Sequence, residues 1–352
     1  MRARLLEVLA CPRCRTSMRA WPMEEDGAEI VTGLLECEGG HLYPVVRAIP
    51  RLLPSALAEA APQLPSRGLP EDVRARMTEQ ASQRDAAFEA QFSHTRRSFS
   101  AEWEMVRADD RAWGLDVSAR REMFLTCFGL TAADLAGKTV LDAGCGHGEV
   151  EAALAGTGAE VFAMDLSSTV DDVRRRVGNP SLHLVQGNVH TPPFKARAFD
   201  LVHSAGVLHH TPDTRTGFRA VAQCLRPGGA CYIEVYSAER KSKVAHALVS
   251  AARRVTVHLP HPLLRAACAA GAPLLWTLSH AYNTATGREV YRRRTLREAR
   301  LSLFDGFSPR FAHHHRTDEV MEWFAELGFT RLRKTYDQKN GFGIVGVLVP
   351  TA

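Results

Sequence analysis

Val140-Leu141-Asp142-Ala143-Gly144-Cys145-Gly146-His147-Gly148 decides the reading of this chain. Thr139 to Asp142 reads as a buried strand, and the glycines after it let the backbone turn sharply and come close to a ligand. Gly-x-Gly-x-Gly alone says little, because dinucleotide enzymes use similar turns. Its surroundings say more. Asp142 stands before the first glycine, placed to accept from a cationic amine. Asp165 ends the next strand, Glu160 to Asp165, where an acid can accept both hydroxyls of a ribose. Working outward, a helix is expected over Glu149 to Ala155 and a charged one over Thr169 to Val177. Strands follow at Leu182 to Gln186 and Phe199 to Ser204. A helix at Gly217 to Leu225 and the turn Arg226-Pro227-Gly228-Gly229 lead into a strand at Ala230 to Tyr236. Beyond an insertion, Thr317 reads as the N-cap of a helix reaching Leu327. Two last strands, near Thr330–Tyr336 and Gly343–Val349, are joined by a short turn. The pattern predicts an α/β fold: a Rossmann-like, seven-stranded, mostly parallel sheet with an antiparallel last strand and helices on both faces.

The segment resembles the first motif of class I methyltransferases that depend on S-adenosylmethionine (SAM). Met164-Asp165-Leu166-Ser167 is similar to their acidic second motif, and Gly187-Asn188-Val189-His190-Thr191-Pro192-Pro193-Phe194 to the third. Phe199 to His210 resembles the fourth, and Leu225 to Gly229 the turn before strand five. The ordered set spans about residues 138–236. It implies that Asp142, Gly144, Cys145, Gly146, Asp165, Leu166, Asn188, Val189 and Ser204 line a SAM pocket. Asn188 departs from the more usual Asp of the third motif. Its amide oxygen can still accept from the adenine amine. Packing in the core is the competing use of the apolar members.

Cys11-Pro12-Arg13-Cys14 offers two thiolates from one tight turn, and Cys37-Glu38-Gly39-Gly40-His41 follows after 22 intervening residues. Cys11, Cys14, Cys37 and His41 suit a tetrahedral Zn²⁺. Residues 1–53 have little core of their own, so a closed metal site would supply much of their folding energy. This stretch, with His41-Leu42-Tyr43-Pro44-Val45 and Ile49-Pro50, resembles the small zinc domain that serves some methyltransferases as an activator subunit. A Cys-x₃-His variant fused ahead of a methyltransferase occurs in bacterial rRNA guanine methyltransferases. The use of all four ligands implies a structural zinc.

The remaining chain divides by composition. Residues 54–70 carry Pro54, Pro62, Pro65 and Pro70 and read as a linker. Residues 71–136 read as a helical cap, with Phe88, Phe92, Phe99, Trp103 and Val106 at helical spacing. Residues 137–352 hold the alternating pattern, with a helical insertion at 237–306. Phe99-Ser100-Ala101-Glu102-Trp103 and the segment 307–324 resemble parts of a subgroup of fused zinc-domain methyltransferases in which the former caps the SAM pocket. Hydrophobic residues make up 45%, charged residues 24% and the net charge is +5, a mildly basic balance short of the strong bias of a dedicated nucleic-acid binder. No signal peptide and no spanning helix are read. Three of eight cysteines have metal-ligand spacing, which fits a reducing cytoplasm.

On the acceptor side, His209 and His210 follow strand four, where a general base belongs. One of the pair packing or capping is the plainer use. Glu234 and Tyr236 are second candidates. Arg288, Arg292, Arg293, Arg294, Arg297 and Arg300 could grip phosphate or carboxylate groups, or form a solvated helix face. The apolar runs of the insertion suit a substrate lid, a homodimer face or an interfacial membrane contact. His313, His314 and His315 are adjacent and cannot all face one ion. The favoured acceptor is a small molecule, glycan or lipid precursor, anionic, methylated at O or N. RNA held by the zinc module is the second reading, and a scaffold without activity the third.

Overall fold

The computed structural model describes residues 1–65, 68–106, 115–239, 243–286, 295–338 and 340–350. Its centre is β5 (Thr139–Ala143), paired in parallel with β6 (Glu160–Asp165) on one side and β8 (Phe199–Ala205) on the other. β7 (Leu182–Gln186) lies beyond β6, and β9 (Leu225–Ser237) beyond β8. β12 (Gly341–Leu348) runs antiparallel between β9 and β11 (Phe329–Asp337), so the order is β11-β12-β9-β8-β5-β6-β7. The expected seven strands are present. An eighth piece, β10 (His314–His315), pairs in parallel with the end of β9 at Tyr236 and Ser237.

Alternation explains why these strands are apolar throughout. Leu141, Phe162, Met164, Val185, Val202 and Ile233 point to one core, whereas Val140, Val161, Ala163, Leu184, Leu201 and Tyr232 point to another. A parallel sheet covered on both faces needs both sets. The first face is covered by α8 (Thr214–Ala222) and α12 (Thr317–Glu326), through Phe218, Val221, Val320, Trp323 and Phe324. The second is covered by α5 (Val117–Phe128), α6 (Glu149–Leu154) and α7 (Val170–Arg176), through Phe124, Phe128, Leu154 and Val173. The N-cap of α12 is Arg316, not Thr317. The Thr317 N–H is taken instead by Glu239 Oε1 at 2.8 Å, which places Thr317 inside the first turn.

The N-terminal region contains α1 (Ala3–Val8) and a four-stranded antiparallel sheet: β1 (Met18–Asp26), β2 (Glu29–Cys37), β3 (Leu42–Val46) and β4 (Ile49–Pro50). Its core residues Leu5, Leu9, Leu35 and Val45 join the cluster on the first face of the large sheet. The backbone sews the two together. Ala10 N–H donates to Pro193 O at 3.0 Å, Lys195 N–H to Val8 O at 2.8 Å, and Leu52 N–H to Gln186 O at 2.8 Å. The buried Arg51 guanidinium lies 2.7 Å from Asp171 Oδ1 at the start of α7.

The proline-bearing stretch after β4 holds a short helix, α2 (Ala56–Ala60), and buries Leu57, Leu64 and Leu69 against Val73 and Met77 of α3 (Glu71–Ala81). α4 (Ala86–Trp103) then crosses the carboxyl ends of the parallel strands. Asp85 caps it by accepting the Phe88 N–H at 2.9 Å. After β9 come α9 (Lys243–Thr256), α10 (His261–Thr286) and α11 (Leu296–Phe307). Leu264, Cys268 and Phe304 of the last two pack against Ala101 of α4. No helix of the described residues is long and apolar enough to cross a membrane.

Candidate functional site

Gly144 and Gly146 have φ of +99° and +51°, values that L side chains rarely adopt. There is also no room for a side chain: a Cβ on Gly144 would run into Val207, and one on Gly146 would sit 2.8 Å from the Trp103 ring. The loop is therefore bare backbone between the end of β8 and the end of α4. Gly144 N–H and Cys145 N–H both donate to Met164 O, at 2.7 and 3.0 Å, which ties the loop to β6.

Asp142 is buried and its Oδ1 lies 2.7 Å from Nδ1 of His203, its register partner on β8. Glu151, on α6, is fully buried beside it, and neither of its oxygens has a hydrogen-bond partner among the described residues. Burial, and then the neighbouring Asp142, push the Glu151 carboxyl well above the ordinary glutamate range. Asp165 accepts Gly146 N–H at 2.9 Å on Oδ2, and Ser167 N–H and O–H at 2.8 and 2.6 Å on Oδ1. It buttresses the loop as well as ending β6. Burial raises its pKa against the pull of these donors.

The other residues named from the sequence divide by use. The Cys145 side chain packs in the second core, leaving only its backbone to the loop. The Ser204 hydroxyl donates to Ala143 O at 2.7 Å and pins β8 to β5. Asn188 Oδ1 accepts the His190 N–H at 3.0 Å, holding the turn after β7. Val189 is buried in the first core. Leu166 packs against Phe88 and Phe92 of α4.

Three aromatic residues of α4 stand on the three loops that leave β5, β7 and β8. Trp103 stacks on His147 with centroids 5.1 Å apart and planes 3° off parallel. Phe92 meets His190 edge-on at 5.4 Å, and Phe99 meets His210 at 5.2 Å. Positions 92, 99 and 103 share one face of a helix. The helix thus covers the strand ends where ligands of open α/β sheets sit.

His209 and His210 both fall at that edge and both are buried. The His209 ring lies 3.8 Å from that of Tyr236. His210 donates its Nδ1 proton to Phe311 O at 2.8 Å, so the lone pair is on Nε2, 3.9 Å from Asp305 Oδ1. Burial lowers its pKa, which keeps the ring neutral. Tyr236 Oη donates to Asp305 Oδ2 at 3.2 Å. Glu102 of α4 is buried near this group, and burial followed by Asp305 raises its pKa well above the ordinary range. Glu234 is pushed up to about 7 by burial. No role for His203, Glu151, Asp305 or Glu102 was read from the sequence. His203 had a signal, a polar residue at the register of Asp142, and Glu102 stood in the Phe99–Trp103 segment that resembles a cap. Glu151 and Asp305 come from separate helices and had none. Of the arginine run, Arg288, Arg292, Arg293 and Arg294 lie outside the described residues.

Residues 141–233 match the family described as "Methyltransferase domain". That stretch is a class I SAM-dependent methyltransferase domain. The ubiquinone biosynthesis O-methyltransferase of Thiobacillus denitrificans is 35% identical over 122 residues, 32% of this chain and 50% of that protein. The enzyme of the same description from Xanthomonas oryzae pv. oryzae is 38% identical over 104 residues, 28% of this chain and 44% of that one. The chain thus spans about half the length of the curated relatives it matches. Magnesium protoporphyrin IX methyltransferase from Synechocystis with bound SAH aligns over 73% of this chain and 99% of its own, at 14% identity and a TM-score of 0.42.

Ahead of the methyltransferase domain, the side-chain donors of Cys11, Cys14, Cys37 and His41 all lie within 4.8 Å of one another. Cys14 and Cys37 sulfurs are 3.5 Å apart, and His41 Nδ1 is 3.3 Å from Cys37 and 3.8 Å from Cys11. A tetrahedron with metal–sulfur bonds of about 2.3 Å has edges of about 3.8 Å. Donor set and spacing both fit a metal. The knuckle also reaches the methyltransferase domain: Arg15 donates to Pro192 O at 2.5 Å and Phe194 O at 2.6 Å, in the loop after Asn188. The three neighbouring histidines do not form a second such group. His313 bonds Thr211 O, His314 lies on Tyr236, and His315 bonds Thr214 and Glu319.

Two tests follow from this geometry. Folded, Glu151 keeps its proton above the ordinary value of 4.5 at which the unfolded chain releases it. Its contribution to stability is full below pH 4.5 and is lost as the pH rises through its folded value. In the ligand-free protein, Glu151→Gln should therefore flatten the decline of unfolding free energy as the pH rises above 4.5. Urea unfolding would show an unchanged slope if Glu151 were ionised in the fold. Chelation of the metal should open residues 1–53 to protease first and speed amide exchange in residues 187–195, which Arg15 holds. Unaltered cleavage and exchange after stripping would remove the metal's structural role.

Proposed function

We propose that the chain is a SAM-dependent methyltransferase acting on an anionic small molecule, glycan or lipid precursor, with Zn²⁺ held structurally by Cys11, Cys14, Cys37 and His41. The observation that carries it is the bare loop at Gly144 and Gly146 flanked by buried carboxylates and roofed by α4. The orphaned Glu151 oxygens and Asp142 suit the ammonium of a methionine group. Asp165 suits a ribose, and Asn188, Val189 and Leu166 an adenine. SAM would supply an electrophilic methyl group on its sulfonium.

The chain's own residues then have separate tasks. α4 excludes water through Phe92, Phe99 and Trp103. His210 is the better base of the histidine pair, because it is neutral with Nε2 available, while His209 packs on Tyr236. Phe311 O fixes the His210 tautomer, and Asp305 stands where it can stabilise the imidazolium once Nε2 takes a proton. Tyr236 holds Asp305. Small-molecule acceptors are favoured over RNA by this enclosure and by the likeness to ubiquinone biosynthesis O-methyltransferases.

Incubation with SAM labelled in its methyl group and a cell extract, followed by partition of the label, tests the reading. Label is expected among small molecules or lipids, and label in RNA would reverse the ranking of acceptors. His210→Ala should lower turnover about 10²- to 10⁴-fold while leaving SAM affinity in place. Turnover equal to the wild type would take the base role from it.

A further inference from the structure

A cleft of about 680 Å³ lies between α4, α9 and the segment after α11. Its walls carry Arg97, Arg253, Arg254, Arg310, His94 and His258. Glu89 is the sole carboxylate among the described residues that line it. Such a gathering of guanidinium groups is costly without an anion. Several arginines elsewhere in the chain have an acidic partner: Arg51 with Asp171, Arg96 with Glu59, Arg316 with Asp318. Arg96 is paired while its neighbour Arg97 forms no ion pair among the described residues, and the same holds for Arg253, Arg254 and Arg310.

The cleft is built rather than casual. His94 Nε2 donates to Val257 O at 2.9 Å, which leaves Nδ1 buried and without a hydrogen-bond partner. Arg253 donates Nε and Nη2 to Gly306 O at 3.1 and 2.7 Å, and Thr256 Oγ1 donates to Phe307 O at 2.8 Å. Arg310 Nη1 donates to Ala90 O at 2.9 Å. These bonds fix α9 to the last turn of α11 and the segment after α11 to α4, yet spend few of the five N–H donors that each arginine has. More donors remain than a carboxylate's two oxygens can use, whereas a phosphate or diphosphate can take them. Arg253 binds the carbonyl of Gly306, whose chain neighbour Asp305 accepts from Tyr236 Oη and lies 3.9 Å from His210 Nε2, so this side of the cleft adjoins the His209–His210 edge of the site.

We propose that this cleft is a phosphate-binding subsite that holds the phosphoryl group of the methyl acceptor. Naming the ligand as the acceptor rests on the methyltransferase reading; the binding of phosphate does not. The phosphate belongs either to a soluble metabolite or to a lipid headgroup, and α9 and α10 do expose Leu248, Val255, Leu263 and Leu274.

The test is calorimetric titration of inorganic pyrophosphate into the metal-loaded full chain at fixed ionic strength. Saturable binding is expected, about 10- to 100-fold weaker in the Arg97→Gln/Arg254→Gln variant. Both side chains are exposed, so the fold should persist. Co-sedimentation with phosphatidylcholine vesicles containing phosphatidic acid, lost in the variant, would assign the phosphate to a lipid. Pyrophosphate binding without vesicle binding would assign it to a soluble acceptor. No pyrophosphate binding, equal binding by the variant, or binding only of an RNA oligomer would overturn the proposal. SAM titrated into the same samples separates the two readings. Wild type that binds pyrophosphate but not SAM would keep the subsite and lose the methyltransferase assignment.

Discussion

The site is organised around two backbone positions that admit no side chain. At Gly144 and Gly146 the loop after β5 is in a left-handed conformation and is pressed by Val207 on one side and Trp103 on the other. Everything nearby accommodates that constraint. Asp165 spends a carboxylate oxygen on Gly146 N–H, and Met164 O takes two more loop N–H groups. Trp103 can lie flat on His147 because nothing projects from Gly146. The same absence leaves a channel of backbone beside Asp142 and Glu151, where a cationic ligand meets buried negative or proton-releasing groups.

The N-terminal region bears on this loop system indirectly. Its cluster of Cys11, Cys14, Cys37 and His41, whose donors and spacing fit a metal, holds the turn of Cys11–Cys14, and Arg15 beside it holds the carbonyls of Pro192 and Phe194. Leu52 and Arg51 do the same for Gln186 at the end of β7. A region too small for a large core of its own thus lends rigidity to the loop expected to meet the adenine. The metal is structural in this account, yet its loss reaches the ligand site through two strands and one guanidinium group.

Much of the sheet was legible because it follows from periodicity. Apolar runs such as Leu182–Gln186 between glycines and polar helices admit few other folds. The motif residues were legible as positions but less so as roles. Cys145 and Val189 turned inward, and Ser204 donates to backbone. Register put His203 against Asp142, which a strand-by-strand reading can recover. The roles of Glu102, Glu151 and Asp305 could not be recovered, because each acquires its meaning from an element packed tens of residues away in sequence. The row Phe92, Phe99 and Trp103 was visible as a helical stripe, but its histidine partners sit on three separate loops. The N-cap of α12 moved by one residue because Glu239, from the end of β9, captured the Thr317 N–H. Tertiary partners overrode local propensity in each case.

The most direct measurement is a titration of S-adenosylhomocysteine, the demethylated product of SAM, into the metal-loaded protein, followed by calorimetry. The account predicts saturable binding at a single site. It also predicts more proton release on binding in the wild type than in Glu151→Gln, as Glu151 gives up its proton beside the ligand's ammonium. A folded, metal-loaded chain that binds no S-adenosylhomocysteine would contradict the central claim that the Gly144–Gly146 loop is a SAM site.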